Sequence, residues 1–583
     1  MNGTILATNP DAALRKYRAT EYPKEAWYFV ACFIFLAGIF NLVSVVTSWR
    51  RGRVGVSKDV EGQGRSSTGS VSFRRLHLAL VNACRIIAFR CSISVGKSFS
   101  LNLAEVFMTA TYITIMLTWS FINSKNTTGK NYDPEYYANR AGDIASAQTV
   151  LVVALGMKNN VISLVTGVGS DSLNYLHRMT ARVLCVTLWI HAGGRLQIGL
   201  ENDTSLDNAW MQAGVLSMTA FTVLCAVSLR PVRAMAYDIM LLAGYFHAAN
   251  NSRGSYLWPS LFLWGLDRFL RVVRVVVFNH SYFGLKSGLG TFNANAEVAA
   301  PGFVRLTFQR PKHLHWTAGQ SAFLTMPGVS TLPFESHPFT IANADVSREK
   351  HGDAEKSSGG KDIMFIVNTR EGFTKRLMDI AKVGGSLKVF MDGPYGSPPR
   401  LRGFDTTVLI AGGSGITFTS PLLVDIIHRA RHDHSVCRNV VFVWAIRHPD
   451  HINLVYNDLF EALSNIPDNL NVDVRIQVTG SDDSALLSSE SSSVSSDVEE
   501  DEKSMSKMTR LPKTKVIQGR PDIHSILEEA CSLAHEDMSV NVCGPAGLTA
   551  RVRSALRSGF ASPMSVLKGS PNIELFVEHF GFD

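Results

Sequence analysis

The feature that most constrains how this chain can fold is a series of long uncharged stretches confined to its first half. Residues 26–49 form a run of 24 residues without a charged side chain, and roughly 20 suffice for a helix to cross a bilayer. Similar segments recur as far as residue 270, and the predicted spans are 26–49, 101–122, 144–166, 179–195, 213–229, 235–249 and 255–270. The pattern predicts a seven-helix membrane region that ends near residue 280.

The composition agrees with a membrane protein. Charged residues make up 18% of the chain, against about 25% in a typical soluble protein. The first span starts too far into the chain, and is too long, for a cleaved signal peptide. Many basic residues flank spans, so the net charge of +8 does not indicate nucleic acid. The eight cysteines contain no CxxC pair, which argues against a zinc site and a disulfide framework.

Charge and glycosylation sequons predict one topology. Basic clusters follow the first span and recur at 230–233 and 267–274, and basic loops favour the cytoplasmic side. Residues 1–25 are then extracytoplasmic, and the C-terminal half is cytosolic. Four sequons fall on the outer side and are candidate glycosylation sites, namely Asn2, Asn126, Asn202 and Asn250. A fifth, at Asn279, falls inside and should remain unused.

Two histidines lie within one predicted span. His177 and His191 are 14 positions apart, so they face nearly the same way and are separated by roughly 21 Å along a helix. Polar groups at membrane depth are usually functional, and imidazole is a common axial ligand of haem iron. The alternative is a pair of interfacial histidines at the helix ends. His247, near the outer end of the sixth span, can pair with His191.

A matching partner for His177 is missing from the sequence. It is expected near Arg233, yet no histidine occurs between His191 and His247. The sixth span is also short, and a loss of about ten residues after Asp238 would explain both features, since a span needs roughly 20. We therefore expect one or two haems b, with the second ligand of the inner haem unidentified. His77, in the basic loop, is better explained as an interfacial residue than as a substitute ligand.

The second half contains two soluble patterns. Short strand-like runs in 285–396 predict a small antiparallel barrel, which includes "ESHPFTIAN", "REGFTKRL" and "DGPYGSP". A buried strand then leads through "GGSG" into a helix, an arrangement that suits a pyrophosphate. Strands follow that end in "AIRHPD" and "VCGP". Residues 481–510 hold eleven serines and eight acids, which predicts a disordered surface insertion.

In this order, the paired histidines, "HPFT", "GPYG", the glycine-rich turn and "CGP" resemble the fungal ferric reductases, of the superfamily that includes the NADPH oxidases. The resemblance implies a multi-domain fold. An α-helical transmembrane haem-binding bundle would occupy 26–280 and an antiparallel β-barrel FAD-binding domain 285–400. An α/β NADPH-binding domain of the ferredoxin-reductase type would occupy 401–583.

The resemblance also assigns candidate site residues. FAD would be bound by His337, Pro338, Phe339, Thr340, Arg370, Gly372, Phe373 and Thr374. NADPH would be bound by Gly412, Gly413, Gly415, Thr417, Arg447, Cys543, Gly544 and Pro545, with Arg447 a candidate for the 2′-phosphate. Glu578 and an aromatic residue, Phe580 or Phe582, would cover the flavin.

The implied activity is electron transfer from cytosolic NADPH through FAD and haem to ferric or cupric chelates outside the plasma membrane. A superoxide-generating NADPH oxidase would use the same path and is one alternative. A membrane protein that binds nucleotides without transmembrane electron transfer is the other, because the fourth histidine is absent. We also expect the chain from about residue 285 to fold alone and bind FAD. No nucleic-acid partner is expected, and a permease or oxidase partner stays unspecified.

Overall fold

The computed structural model describes most of the chain in eleven stretches. They are residues 10–54, 72–95, 99–227, 243–249, 254–279, 292–309, 314–332, 335–345, 362–432, 436–480 and 494–578. Asn2, Arg233, Asp238, Asn250, Phe580 and Phe582 lie outside them. The chain divides into two compact units, one of Met1–Val43 with Ala104–Leu270 and one of Ser44–Leu103 with Arg271–Asp583.

The first unit is helical. Its helices are α1 (Pro10–Val54), α3 (Leu103–Phe121), α4 (Pro134–Gly156), α5 (Val161–Thr166), α6 (Ser170–Ile198), α7 (Ala209–Ala226), α8 (residues 243–249) and α9 (Gly254–Asn279). The C-terminal ends of α1 and α9 continue into the second unit. By length and apolar composition, three described helices can cross a membrane, at Asp11–Thr47, Leu103–Phe121 and Ala209–Ala226. The apolar side chains of α4 pack against α6, where Ile144 and Leu151 join Leu173 and Met179 in one core.

The prediction of a single span at 144–166 is wrong. Helix α4 starts ten residues earlier, at Pro134, and ends at Gly156; the short α5 follows after a break. The break is set by Asn160, whose side chain accepts a hydrogen bond from the Ser163 N–H and caps α5. The early start was hidden by buried polar residues, such as Arg140, which donates to the carbonyl of Ser120.

The second unit contains an antiparallel sheet of six strands. They are β3 (Phe292–Ala300), β4 (Phe303–Gln309), β5 (Ser321–Thr325), β6 (Ser336–Thr340), β7 (Asp362–Asn368) and β8 (Gly385–Tyr395), in the order β6-β5-β8-β3-β4-β7. An isolated bridge between Ile341 and Phe365 connects the two ends of this order. Helix α10 (Phe373–Val383) packs its Leu377 into the same core as Leu306 and Val389.

A parallel sheet follows in the same unit. Its strands are β9 (Thr406–Gly412), β10 (Asn439–Ile446), β11 (Asn471–Val478), β12 (Thr514–Gln518), β13 (Asp537–Cys543) and β14 (Asn572–Glu578), in the order β12-β11-β10-β9-β13-β14. The helices are α11 (Ile416–Arg431), α12 (Tyr456–Leu463), α13 (Val494–Arg510), α14 (Ile523–Leu533), α15 (Ala546–Ala555) and α16 (Pro563–Leu567). Every residue of β9 is buried, as expected for a central parallel strand with both faces covered.

The expectation of disorder across 481–510 is wrong for its second part. Residues 494–510 form α13, while 481–493 lie outside the described residues. Met508 and Leu511 are buried in the main core of the parallel sheet. The Ser504 hydroxyl donates to Asp450 at 2.6 Å. The segment is acidic overall, but its few apolar residues recur at helical spacing and form one apolar face. This face packs the helix against the core.

The described part of the loop between the first two membrane helices, residues 72–95 and 99–102, is also structured. It contains α2 (Leu76–Arg85), a π-helical turn (Ile86–Arg90) and β1 (Ser92–Val95), which pairs with β2 (Phe99–Asn102). This stretch belongs to the second unit, and α2 packs against α16 and β14. The predicted cytoplasmic loop therefore forms part of the α/β fold.

Candidate cofactor sites

Three histidines of the helical unit share one hydrogen-bonding arrangement. In each, Nδ1 lies 2.8 Å from a main-chain carbonyl of a neighbouring helix. The pairs are His177 with Val152, His191 with Ala138 and His247 with Trp210. A carbonyl can only accept, so Nδ1 carries a proton, and in the neutral imidazole Nε2 then has a lone pair. This is the tautomer that second-shell carbonyls select in histidines that ligate metals.

Each ring also lies directly on a glycine. A Cβ added to the glycine would come within 3 Å of the ring, at 2.9 Å for Gly156 and His177, 2.6 Å for Gly142 and His191, and 2.5 Å for Gly214 and His247. Every glycine follows its carbonyl partner by four positions, so one helical turn provides both contacts. We call each such turn a histidine seat.

The seats repeat along the helices. The two seats on α4 are 14 residues apart, as are the two histidines of α6 that occupy them. On α7 the seat for His247 is formed by Trp210 and Gly214. The equivalent positions 14 residues later are Leu224 and Ser228, the second of which lies outside the described residues.

These imidazoles fit a haem better than a metal ion held by protein ligands alone. Within the described stretches, no three His, Cys, Asp or Glu residues are close enough together to hold a metal ion. A haem iron needs only one or two axial imidazoles, because its porphyrin supplies the other ligands. His177, His191 and His247 remain the predicted ligands, and each has its Nδ1 bonded to a main-chain carbonyl.

In the antiparallel domain, two predicted FAD motifs come together. His337 lies on β6, and its ring stacks on that of Phe373 at the start of α10, with 4.3 Å between centroids. His337 Nε2 is 3.0 Å from the Glu335 carboxylate. Burial raises the pKa of Glu335, but hydrogen bonds from His337 and Thr331 outweigh it and leave the pKa below its ordinary value.

The start of α10 is open to a negatively charged group. Gly372, at the N-cap, has a φ of 70°, a conformation that favours glycine. The Arg370 N–H donates to the Thr374 hydroxyl at 2.7 Å, and the Arg370 side chain is exposed. A helix N-terminus with an adjacent arginine suits a phosphate.

Sequence reasoning missed a polar cluster at the end of β8. Arg271 forms a 2.9 Å ion pair with Asp392, and Arg274 lies 4.7 Å from the ring centre of Tyr395. Burial, together with the Asp392 carboxylate that accepts its hydroxyl, raises the pKa of Tyr395. The two motifs, "DRFLRVVR" and "DGPYG", contribute residues 121 positions apart, so the sequence does not show that they meet.

The two predicted nucleotide motifs meet at neighbouring strands. Cys543 of β13 pairs with Ala411 of β9, which places "CGP" beside "GGSG". A Cβ at Gly415 would lie 2.1 Å from the Cys543 carbonyl oxygen, and one at Gly412 would lie 2.8 Å from Pro545. Glycine is therefore required at 415 by the close approach of the β13 backbone, and it is favoured at 412 by the close approach of the Pro545 ring.

Hydrogen bonds shape the turn between β9 and α11. The Trp444 Nε1–H donates to the Gly413 carbonyl at 3.0 Å, and the Thr417 hydroxyl donates to the Ser414 carbonyl at 3.0 Å. Thr417 therefore supports the turn through its side chain.

The remaining residues predicted to bind the nucleotide lie at the carboxyl ends of strands in the same sheet. Arg447 is exposed directly after β10, and Glu578 ends β14 opposite Cys543. Phe580 lies outside the described residues. The carboxyl ends of parallel strands are where such folds bind nucleotides.

Of the predicted glycosylation sites, only Asn126 has a described side chain. Its amide nitrogen donates to Asp133 at 2.7 Å, and its carbonyl oxygen accepts from Thr128. A glycan would be attached to this same nitrogen and would take one of its two hydrogens. Asn202 lies in a short 3₁₀ helix, Asn202–Thr204.

Three family models match the chain in sequence order. "Ferric reductase like transmembrane component" matches residues 141–246, "FAD-binding domain" 289–399 and "Ferric reductase NAD binding domain" 404–557. The transmembrane model is of the haem-binding kind. The fold class, and the presence of FAD-, NAD- and haem-binding domains, are thereby confirmed.

Similar curated proteins are fungal ferric reductases. The "Probable cell surface ferric reductase kap2" of Aspergillus oryzae is 31% identical over 350 residues, which cover 55% of this chain and 45% of that protein. The "Ferric/cupric reductase transmembrane component 2" of Saccharomyces cerevisiae is 25% identical, covering 77% and 64% respectively. The chain thus spans less than two thirds of the length of these relatives.

Among solved structures, a flavohemoglobin from Malassezia yamatoensis with bound FAD and heme is 15% identical. The match covers 76% of this chain and 97% of that one, with a TM-score of 0.36.

Proposed function

Since the chain carries the transmembrane, FAD-binding and NAD-binding domains of the ferric reductases, we propose that it transfers electrons from NADPH across a membrane to ferric chelates. It is an integral membrane protein. The observation that carries the proposal is the repeated histidine seat. Two seats on α4 hold the imidazoles of His177 and His191 at two positions along the helical unit. When bound, FAD supplies conversion of a hydride into single electrons, and haem supplies single-electron relay.

The topology follows from the basic loops. We place the N-terminus and the acceptor on the outer side and the second unit in the cytosol, as the distribution of arginine and lysine predicts. A ferric reductase with this topology would serve metal uptake at the plasma membrane. Cupric chelates belong to the same class of acceptor, because the transfer requires only access to the outer haem edge.

In the FAD domain, His337, Pro338, Phe339 and Thr340 would line the flavin. The stack of His337 on Phe373 supports this assignment, because it joins the flavin-lining strand to the start of α10. Arg370, Gly372 and Thr374 would hold the pyrophosphate at that helix end.

In the NAD domain, the turn with Gly412, Gly413, Gly415 and Thr417 would hold the nucleotide phosphates. The residues of the adjacent "CGP", Cys543, Gly544 and Pro545, would lie beside the nicotinamide. Arg447, exposed after β10, would bind a 2′-phosphate and so favour NADPH over NADH. Glu578 and Phe580 would cover the flavin.

In the helical unit, His191 and His247 would ligate the outer haem and His177 the inner one. His177 needs an opposite ligand, and the sequence contains no histidine between 191 and 247. We infer that the side chain of such a ligand would pack against the turn of α7 around Leu224, 14 residues after Trp210 of the His247 seat. Residues 228–242 are outside the described stretches.

The missing histidine favours a second candidate, an NADPH–flavin reductase with an incomplete transmembrane path. With one haem, electrons would have to reach the outer side in a single long step. The two candidates predict different haem contents, two per chain against one.

One experiment tests both. The full chain is purified in detergent, its haem-to-protein ratio and bis-histidine spectrum are recorded, and it is then reconstituted into vesicles with NADPH outside and ferric chelate inside. Two haems and reduction of enclosed chelate support the proposal, whereas one haem with no such reduction supports the incomplete path. Superoxide in place of ferrous iron would identify an oxidase.

A further inference from the structure

A buried arginine from the loop between the first two membrane helices lies inside the NAD domain. Arg90 is only 1% exposed. Its guanidinium donates to the carbonyl of Leu556 and to the carbonyl of Ile573, both at 2.8 Å. The two acceptors are more than 460 positions away in the chain.

These two carbonyls belong to elements that lead to the nucleotide site. Leu556 is the C-cap of α15, the helix that begins directly after Pro545. Ile573 lies at the start of β14, the strand that ends at Glu578. A ten-residue helix is about 15 Å long, so Arg90 connects the two elements at the end remote from the site.

The bonding of Arg90 suits a positioning role. Both acceptors are main-chain carbonyls, and burial lowers the pKa of Arg90 to about 10, which still leaves it charged near neutral pH. The last carbonyls of a helix have no partner within it and carry a partial negative charge. Arg90 thus satisfies the end of α15 while fixing its distance from β14.

Residues around Arg90 cover the edge strand of the parallel sheet. Strand β14 is the last strand of the parallel sheet, and such edges need protection. Arg85 donates to Asn572 at 3.0 Å and pairs with Glu574 at 3.3 Å. Asn82, also 1% exposed, donates to the Ala561 carbonyl at 2.9 Å.

We propose that Arg90 is a positioning residue for nicotinamide-nucleotide binding, supplied to the NAD domain by the loop between the first two membrane helices. Arg90 fixes the start of β14 relative to the C-terminal end of α15. It thereby fixes the relative positions of the "CGP" turn, which precedes α15, and of Glu578, which ends β14. The inference rests on the proposed nucleotide site and is independent of the terminal electron acceptor.

The test uses the full-length protein in detergent, with three variants, Arg90→Met, Arg90→Lys and Asn82→Ala. The dissociation constant of NADP⁺ is measured by calorimetry, the KM for NADPH with a soluble dye per bound flavin, and stability by the temperature of flavin release. Arg90→Met should weaken NADP⁺ binding and raise KM by about tenfold. Arg90→Lys keeps the charge but reaches fewer carbonyls, so its dissociation constant for NADP⁺ and its KM should lie between those of the wild type and Arg90→Met.

Asn82→Ala is the matched control, because Asn82 is equally buried in the same segment but bonds to neither α15 nor β14. It should lower the flavin-release temperature and leave NADP⁺ binding unchanged. Equal effects of Arg90→Met and Asn82→Ala on binding would overturn the proposal, as would unchanged binding in Arg90→Met. If Arg90→Met yields no flavoprotein, wild-type binding by Arg90→Lys would overturn it. Absence of ferric reduction by the wild-type protein, with normal NADP⁺ binding, would count against the proposed function and leave this inference standing.

Discussion

Each histidine ring in the helical unit rests on a glycine, so a single methyl group at that glycine should displace the ring. We predict that Gly142→Ala removes the haem bound through His191, because the new Cβ would lie 2.6 Å from the ring. Gly193→Ala is the control, since nothing lies within 4 Å of a Cβ there. The measurement is the haem-to-protein ratio of the purified variants. Full haem content in Gly142→Ala would contradict the assigned seat.

The nucleotide turn allows a similar test. In Gly415→Ala the Cβ would be 2.1 Å from the Cys543 carbonyl oxygen, so the turn or β13 must move. We expect NADP⁺ affinity to fall by at least about tenfold, or about 1.4 kcal/mol. Gly547→Ala, with no atom within 4 Å of its Cβ, should bind normally. Normal binding in both variants would show that the turn tolerates displacement.

His451 should make the second unit sensitive to mild acid. Burial, helped by the charges of His448 and Arg447, lowers the pKa of His451 to about 4. The unfolded chain takes up this proton below about pH 6.5, so stability falls as the pH decreases from about 6.5 towards 4, by about 2 kcal/mol at pH 5. His451→Phe, which keeps a ring against Phe303, should flatten that part of the profile. Flavin-release temperatures between about pH 7 and pH 5 would reveal the difference.

Single residues also show what the sequence could and could not predict. The spacing of His177 and His191 predicted two levels on one helix face, because helical geometry is local. The glycine and carbonyl of each seat lie on other helices, so nothing beside the histidines in the sequence indicates them. Arg90 was concealed for the same reason, since its partners are distant in the chain.

At the scale of elements, α13 should contribute to stability despite its acidic, serine-rich sequence. Met508 is fully buried in the core of the parallel sheet, and truncating a buried methionine to alanine costs about 2–5 kcal/mol. We predict that Met508→Ala lowers the flavin-release temperature clearly, while Lys503→Ala, on the exposed face, does not. Equal melting of the two variants would show that the helix is not docked in solution.

Element boundaries were predictable where composition and burial agree. The strand before the glycine-rich turn was predictable because it is buried along its whole length. The first span was predictable from its lack of charge, but its helix extends beyond both ends of 26–49. The start of α4 was predicted ten residues too late, because its first turns bury polar groups, including Arg140 and Asp143. Hydropathy measures a side chain's preference for water and cannot detect that its polar atoms are paired inside the fold.

At the scale of the whole molecule, the structure adds a condition to the expectation that the chain from about residue 285 folds alone, because residues 44–103 belong to the same unit. Such a fragment lacks residues 72–95, which cover the edge of β14. We predict that it aggregates and loses FAD more readily than the same fragment carrying 72–95 on a flexible linker. A linked version with the order of 72–95 scrambled is the control. Equal solubility and flavin content in all three would contradict the prediction.

The docking of this early segment also has a consequence for the timing of biosynthesis. Asn82 and its acceptor Ala561 are 479 positions apart, and ribosomes add about 5–20 residues per second. The segment therefore emerges roughly 25 to 95 seconds before its binding surface exists. During that interval it must be shielded by the membrane surface or by chaperones. A premature stop near residue 570 would remove the β14 partners of Arg85 and Arg90, so a lesion there would weaken the docking of a segment near residue 80.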